Sequence, residues 1–202
     1  DVTLAAKAAN GTFRLDLGRH ETRDAGTPAL PMDMTKDFAE KVALNYTGDT
    51  GAHALEARVY VHDIEHLMDN YSLRPNLNPM AMWAFAPAAS TDQGASVKTT
   101  HTRGNHVLRI GAEYLLNDFD AYSQRLVSGV QQDIIRDASR DRLGVFGEWQ
   151  AQHGGAWQTL AGVRSDTVKS DAANIVNVGP APAAAVLADQ ASFNSRAHDI
   201  TD

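Results

Sequence analysis

Strict alternation of apolar and polar residues is the feature that most constrains the fold of this chain. It recurs in five segments, at residues 13–18, 55–62, 108–114, 142–150 and 157–164. Successive side chains of a β-strand point to opposite faces, so a period of two predicts strands with one apolar and one polar face. Helical periodicity appears only weakly, around residues 121–137. The sequence therefore predicts an all-β fold.

Short and long connections also alternate along the chain. Short turns are predicted at residues 9–11, 48–51, 103–105 and 153–155, where glycine and asparagine suit tight hairpins. Long polar connections are predicted near residues 20–34, 66–93, 117–140 and 169–195. The strands between them are expected to be about 9–12 residues long, close to the length that crosses a membrane. This pattern favours an up-and-down antiparallel sheet with one plain end and one elaborated end.

A transmembrane β-barrel and a soluble β-sandwich both show such alternation. The expected strand length favours the barrel, because strands of soluble proteins average about five or six residues. The predicted polar faces also carry long charged side chains, as a water-filled lumen requires: Arg14, Arg58, Arg109, Glu113, Glu148 and Arg164. The predicted fold class is an antiparallel up-and-down transmembrane β-barrel.

Composition and motif content exclude several function classes. The net charge of −7 argues against nucleic acid as a partner. The absence of cysteine excludes a disulfide scaffold, a thiolate metal site and a cysteine nucleophile within these residues. No serine triad or glycine-rich phosphate loop is recognisable. His62 and His66 have the spacing of a zinc-protease motif, but that motif needs a helix. We therefore expect no enzyme.

All five methionines lie between Met32 and Met82, and most form pairs with one residue between them. The three pairs are Met32 with Met34, His66 with Met68, and Met80 with Met82. On an extended backbone the members of such a pair point to the same side. Thioether and imidazole donors suit copper better than magnesium, calcium or manganese. Methionine favours Cu(I) and histidine also accepts Cu(II), so both oxidation states stay open.

His66 and Met68 are the primary candidate metal ligands. They have the opposite parity to the apolar residues 55–61 and lie at the loop end of that strand. The alternative is that Met68 packs in the lumen and His66 hydrogen-bonds a neighbour. His62 shares their face, either as a partner of a ligand or as a lumen histidine without a metal.

The other four methionines are predicted in two long loops on the same side of the sheet: Met32, Met34, Met80 and Met82. They would form a low-affinity capture site for copper. The alternative is that they fill gaps in the loops, as methionine does well.

Several segments of the chain resemble a known family. His66-Leu67-Met68-Asp69-Asn70-Tyr71-Ser72-Leu73-Arg74-Pro75-Asn76, Met80-Ala81-Met82-Trp83-Ala84 and Leu30-Pro31-Met32-Asp33-Met34 resemble the TonB-dependent copper receptors of Gram-negative outer membranes. Arg140-Asp141-Arg142-Leu143-Gly144-Val145-Phe146-Gly147-Glu148-Trp149 is similar to a strand of TonB-dependent receptors in general.

The resemblance implies a barrel of about 22 strands that is closed by an N-terminal plug. It also implies copper as cargo, outer-membrane lipid around the barrel, and energy from TonB and its inner-membrane complex. In the family a His-x-Met pair from the barrel acts with a Cys-x-x-x-Met pair from the plug, and His66 and Met68 match the first pair. Residues 1–202 would then be about 8–9 strands of one barrel domain, without the plug.

Two alternatives stay open. The first is a TonB-dependent receptor for a siderophore or another metal chelate, with aromatic and arginine contacts in the outer loops. The second belongs to another class: a surface β-protein, such as an adhesin or binding module, that needs no metal.

Overall fold

The computed structural model describes residues 1–75, 79–172, 174–175 and 199–201, and these form one antiparallel sheet. Its strands are β1 Val2–Ala8, β2 Gly11–Ala25, β3 Asp33–Asp49, β4 His53–Asp69, β5 Ala84–Arg103, β6 His106–Arg125, β7 Gln131–Gln152, β8 Gln158–Asp171, β9 Asn174–Ile175 and β10 Asp199–Thr201. A short 3₁₀-helix spans Met80–Met82. Within the described residues, no helix combines the length and apolar character that crossing a membrane requires.

The strands β1 to β8 pair in chain order, each with its neighbours along the chain. β10 pairs with β8, and β9 pairs with Ile135 and Arg136 near the start of β7. The all-β antiparallel meander is therefore confirmed, and the sheet formed by the described residues is open. The four predicted short turns are also confirmed. Gly51 and Gly104 adopt φ of 84° and 57° in these turns, a region that glycine enters without steric cost.

The strands continue well beyond the predicted boundaries. The prediction of long connections over residues 20–34, 66–93 and 117–140 is wrong for most of these residues, because the loops span only 26–32, 70–83 and 126–130. β5 and β6 have 20 residues each and β7 has 22, so the expected strand length is also wrong. The predicted connection at 169–195 lies largely outside the described residues.

The weak helical periodicity around residues 121–137 does not produce a helix. This stretch forms the end of β6, the 126–130 loop and the start of β7. Both faces of the sheet are polar here, so the period-two pattern that marks the other strands is lost. Backbone pairing continues without that pattern, because ladder hydrogen bonds do not depend on which side chains face outward.

One face of the sheet carries a continuous apolar band next to the short turns. The apolar band consists of the outward residues within 2–6, 13–17, 42–46, 55–61, 95–97, 108–116, 143–149 and 161–163. Its side chains are exposed, for example Val59 at 52% and Val163 at 75%. Many large hydrophobic residues lie on this surface, and the buried apolar residues of the described chain are alanines only. The sheet therefore presents its apolar side chains outward and has no packed core of large side chains.

Beyond the apolar band, the same face becomes charged toward the long loops. Cross-strand ion pairs there join Arg19 to Glu40 at 3.9 Å and Lys36 to Glu65 at 3.2 Å. The Lys36 ammonium also lies 5.4 Å from the centre of the Phe38 ring. The change from apolar to charged divides each long strand into two parts with different surroundings.

The opposite face, called the polar face below, is charged and polar along most of its length. Glu113 accepts hydrogen bonds from Arg142 and Arg164, and both arginines also bond Asp166. Of the charged residues predicted for a wet face, Glu113 and Arg164 belong to this network, Arg109 pairs with Glu148, and Arg14 pairs with Asp16. The predicted division of β4 into an apolar and a polar face is confirmed by its pairing register.

Candidate metal centre

His66 and Met68 lie on the polar face near the loop end of β4. Both side chains are half-buried, with that of His66 at 32% exposure. On β5 their cross-strand neighbours are the small residues Ala88 and Ala86. Since neither neighbour fills the space above the sheet, the imidazole and the thioether are open to a ligand on that face.

Met34 joins this pair because of an irregularity in β3. The register shifts between Met34 and Lys36, so that Met34 lies opposite Met68 while Lys36 lies opposite Leu67. The residue in between, Thr35, donates its hydroxyl proton to the Leu67 carbonyl at 3.1 Å. Because a bulge of one residue reverses the side-chain parity, Met34 faces the same side as Met68.

The three donors of this cluster are close together. Directly opposite residues of antiparallel strands have Cα atoms about 4.5–5.5 Å apart, which applies to Met34 and Met68. His66 is two residues from Met68 along the same strand and shares its face. The structure therefore places Met34 in β3 and not in a loop, where the sequence predicted it. We call Met34, His66 and Met68 the donor trio.

A carboxylate accompanies the histidine of the trio. Asp37 is the cross-strand partner of His66, and its Oδ1 lies 3.5 Å from the His66 Nδ1. A carboxylate on one ring nitrogen favours the proton on that nitrogen and leaves Nε2 free as a metal ligand. Asp37 was not singled out by the sequence, since its pairing with His66 depends on the register after the bulge.

The remaining methionines lie around the trio at the same end of the sheet. Met80 and Met82 form the 3₁₀-helix of the 70–83 loop and are 58% and 47% exposed. Met32 lies in the 26–32 loop, where its carbonyl accepts a hydrogen bond from the Thr27 hydroxyl. The expectation that the two loops open on the same side of the sheet is confirmed. Met80 and Met82 keep about half of their surface open to solvent, and the choice between capture and gap filling stays a prediction.

His62 is not brought into the trio. It shares the polar face, but its cross-strand partners are Lys41 and Asp92. Four residues of strand separate it from His66, about 13 Å at 3.3 Å per residue. Direct ligation of one ion by both histidines is therefore excluded in this arrangement.

An arginine clamp, formed by Asp33 and Arg74, holds the two loops against each other. Arg74 donates to both carboxylate oxygens of Asp33, with Nε to Oδ2 at 2.6 Å, and to the carbonyls of Leu30 and Thr27 at 3.0 and 3.3 Å. Asp33 is only 4% exposed. Hydrogen bonds from Arg74, and then from the Thr27 amide, lower the pKa of Asp33 to about 2. The clamp flanks the start of β3 and thus supports the position of Met34.

Asp69 organises the start of the second loop in a similar way. Its Oδ1 accepts the amide protons of Tyr71 and Ser72 at 3.0 and 2.8 Å, and its Oδ2 accepts the Ser72 hydroxyl proton. Burial, and then the Asp69 charge, raise the pKa of Tyr71, whose ring stacks on Trp83 at 5.4 Å. No local sequence pattern indicates the roles of Asp33, Asp69 and Arg74, although each lies within a segment that carries the family resemblance.

The chemistry of the site rests on soft and borderline donors. Among the residues that the structure describes, no three His, Asp or Glu side chains converge in a way that could hold a metal ion. The trio contains one imidazole and two thioethers, a set that suits copper and disfavours hard cations. Whether His66 and Met68 are ligands stays a prediction, as do the capture roles of Met32, Met34, Met80 and Met82.

The fold and the candidate site together define an antiparallel β-meander with an outward apolar band and soft metal donors at one end. No known protein family matches the sequence, and no curated protein matches it either. Among solved structures the chain is similar to one described as "Copper transporter OprC", with a TM-score of 0.71 and 19% sequence identity. The similarity covers 87% of this chain and 29% of that chain. The two proteins therefore have related folds, and this chain spans less than a third of the other's length.

Proposed function

We propose that this chain is part of the barrel wall of a TonB-dependent receptor that binds and imports copper ions across a Gram-negative outer membrane. The observation that carries the proposal is the donor trio: His66, Met68 and Met34 share one face at one end of a sheet that resembles part of a copper transporter. Copper is the cargo, and the chain performs no bond-making reaction. A complete barrel of about 22 strands with a plug belongs to the same proposal.

The apolar band supports the membrane part of the proposal. In β4 and β6 it extends over Leu55–Val61 and Leu108–Leu116, roughly 20–27 Å along the strand. The lipid-facing band of outer-membrane barrels is about 25 Å tall. With lipid against this band, the polar face borders the lumen, and the parts of the strands with charges on both faces project outside the membrane. The donor trio lies in that projecting part.

The arrangement of donors suggests how the ion is held. Two thioethers and one imidazole bind copper and leave coordination positions for donors from elsewhere in the receptor. The exposed Met80 and Met82 collect ions from the medium at lower affinity and pass them to the trio. TonB and its inner-membrane complex supply the energy that opens the path inward.

Copper analysis of the intact, detergent-solubilised protein tests the proposal. We expect the unmodified protein to hold about one equivalent of copper more than the double variant His66→Ala/Met68→Ala. The matched control is His62→Ala, which removes an imidazole from the same strand and the same face outside the trio. This control should retain its copper.

Unchanged copper content in His66→Ala/Met68→Ala would refute the assignment of the site. An absence of copper from the unmodified protein, together with uptake of an iron chelate by cells that express it, would favour a siderophore receptor. Solubility without detergent would instead favour a surface β-protein without a membrane band.

A further inference from the structure

A second pair of potential metal ligands lies at the short-turn end of the sheet. His53 is the first residue of β4, and His101 is its direct cross-strand partner on β5. Their Nδ1 atoms are 3.2 Å apart, and the two rings stack with centroids 4.4 Å apart and an interplanar angle of 27°. Both side chains project from the apolar face at the border of the apolar band. The two imidazoles thus meet through their nitrogen atoms.

The separation of these nitrogens matches the distance between two nitrogen ligands of one metal ion. Zinc–nitrogen bonds of about 2.0–2.1 Å at a tetrahedral angle place two ligand nitrogens about 3.3 Å apart. When both protons reside on Nε2, the two Nδ1 atoms carry lone pairs and can bind one ion. In the absence of a metal, the same contact serves as a hydrogen bond between neutral rings.

The backbone around the pair is fixed by hydrogen bonds. The His53 carbonyl accepts the Thr50 amide proton at 2.9 Å, and the Thr102 amide donates to the Ala52 carbonyl at the same distance. Both histidines are in the continuous β4–β5 ladder. The backbone therefore needs little reorganisation to bind an ion, while the two rings turn out of their stack so that both in-plane Nδ1 lone pairs point at the ion. The side chain of His53 is exposed and that of His101 is half-buried, so an ion can reach them.

The geometry points to a binding site formed by His53 and His101 for a divalent transition-metal ion that prefers imidazole, such as Zn²⁺ or Cu²⁺. This site is separate from the candidate metal centre. His53 and His66 lie near opposite ends of β4, roughly 40 Å apart along the strand at 3.3–3.4 Å per residue. They also project from opposite faces of the sheet, so the two sites bind independently.

His106 is the natural control for this assignment. It lies at the same end of the sheet and faces the same side, but its ring stacks on Trp149 with centroids 5.8 Å apart. Its cross-strand partners are Arg103 and Ala151, neither of which is a histidine. His106 lies diagonally across from His101, which is opposite Leu108, but among the described residues no third His, Asp or Glu side chain converges with the pair. It therefore has the same chemistry and a similar location without sharing the ion.

Cupric ion alone, titrated into the detergent-solubilised intact protein, tests the proposal. Copper at the trio is removed beforehand by working in the His66→Ala/Met68→Ala background. In that background we expect an electron paramagnetic resonance spectrum of bound Cu²⁺ with splitting from imidazole nitrogens. Mutation of a residue that only hydrogen-bonds a metal ligand already lowers metal affinity roughly 10- to 100-fold. Removal of a ligand itself, in His53→Gln or His101→Gln, should therefore weaken Cu²⁺ binding at least about tenfold. His106→Gln should leave the affinity and the spectrum unchanged.

Circular dichroism of each variant confirms that the sheet is intact. A background variant without nitrogen-split Cu²⁺ would overturn the proposal, as would an unchanged affinity in the double variant His53→Gln/His101→Gln. An equal loss of affinity in His106→Gln would overturn the assignment to this pair. None of these outcomes depends on the trio, so failure here and failure of the copper-receptor proposal are distinguishable.

Discussion

At the scale of single residues, the extra residue at Thr35 decides which soft donors meet. Without the register shift, Met34 would face the opposite side of the sheet from Met68. With it, the two thioethers are cross-strand neighbours and His66 lies beside them. A methionine that the sequence suggested as a loop capture residue thus becomes a candidate member of the central site.

Met34→Leu tests this placement. Leucine keeps the volume and apolar character of methionine, so the change in folding free energy should stay below about 1.5 kcal/mol. The variant lacks one thioether donor. Because mutation of a residue that only hydrogen-bonds a metal ligand already lowers affinity roughly 10- to 100-fold, we expect the Cu(I) affinity of the variant to fall by at least about tenfold. Competition with a chromophoric Cu(I) chelator measures this affinity. Met80→Leu is the matched control, and an equal effect in both variants would argue against a special role for Met34.

At the scale of elements, the arginine clamp joins two loops that are far apart in the sequence. Asp33 precedes Met34 at the start of β3, and Arg74 lies in the following long loop. The clamp therefore couples the position of Arg74 to the position of the donor trio. Protonation of the Asp33 carboxylate determines the pH at which this coupling is lost.

The pH dependence of the clamp follows from the low pKa of Asp33. Because that pKa is about 2 in the folded protein and 3.8 ordinarily, the clamp adds stability that is fully present above about pH 4. This stability is lost as the pH falls through 2. In Arg74→Met the pKa of Asp33 should rise toward its ordinary value or above, so that protonation occurs at higher pH. The carbon-13 shift of the Asp33 carboxyl, followed by NMR between pH 2 and 5, measures the change.

Arg23→Met is the matched control for the clamp. Arg23 pairs with Glu21 on an exposed surface, with its side chain 69% exposed, and removing such a pair has little effect. The Asp33 titration should be unchanged in this variant. A titration of Asp33 that stays near pH 2 in Arg74→Met would show that Thr27 alone holds the carboxylate ionised.

The strands also show which parts of the fold the sequence could predict and which parts it could not. Alternation predicted the parts of the strands that carry the apolar band, since there one face is apolar and the other polar. It failed in the projecting parts, where both faces are polar, and so residues 117–140 were assigned to a connection. The pairing of Asp33 with Arg74, and of His53 with His101, depends on strand register across about 40 residues or more. No local pattern carries that information.

For the whole molecule, the central feature is a sheet whose large apolar side chains lie outside. An exposed apolar surface of this extent needs a nonpolar partner. The ion-paired polar face offers none, because its arginines and carboxylates are already matched with one another. In the proposed receptor, lipid along the apolar band satisfies this requirement, and the charged residues of the same face begin where the lipid ends.

Val59→Arg tests this arrangement of the whole molecule. Val59 lies in the middle of the apolar band at 52% exposure. An arginine facing lipid at the midplane of a barrel membrane lowers stability by about 2–4 kcal/mol. We therefore expect a lower urea midpoint in lipid vesicles and less protein in the outer membrane. Val127→Arg is the matched control, since Val127 is 59% exposed in the 126–130 loop outside the band. If both variants insert and unfold as the unmodified protein does, lipid does not cover the band.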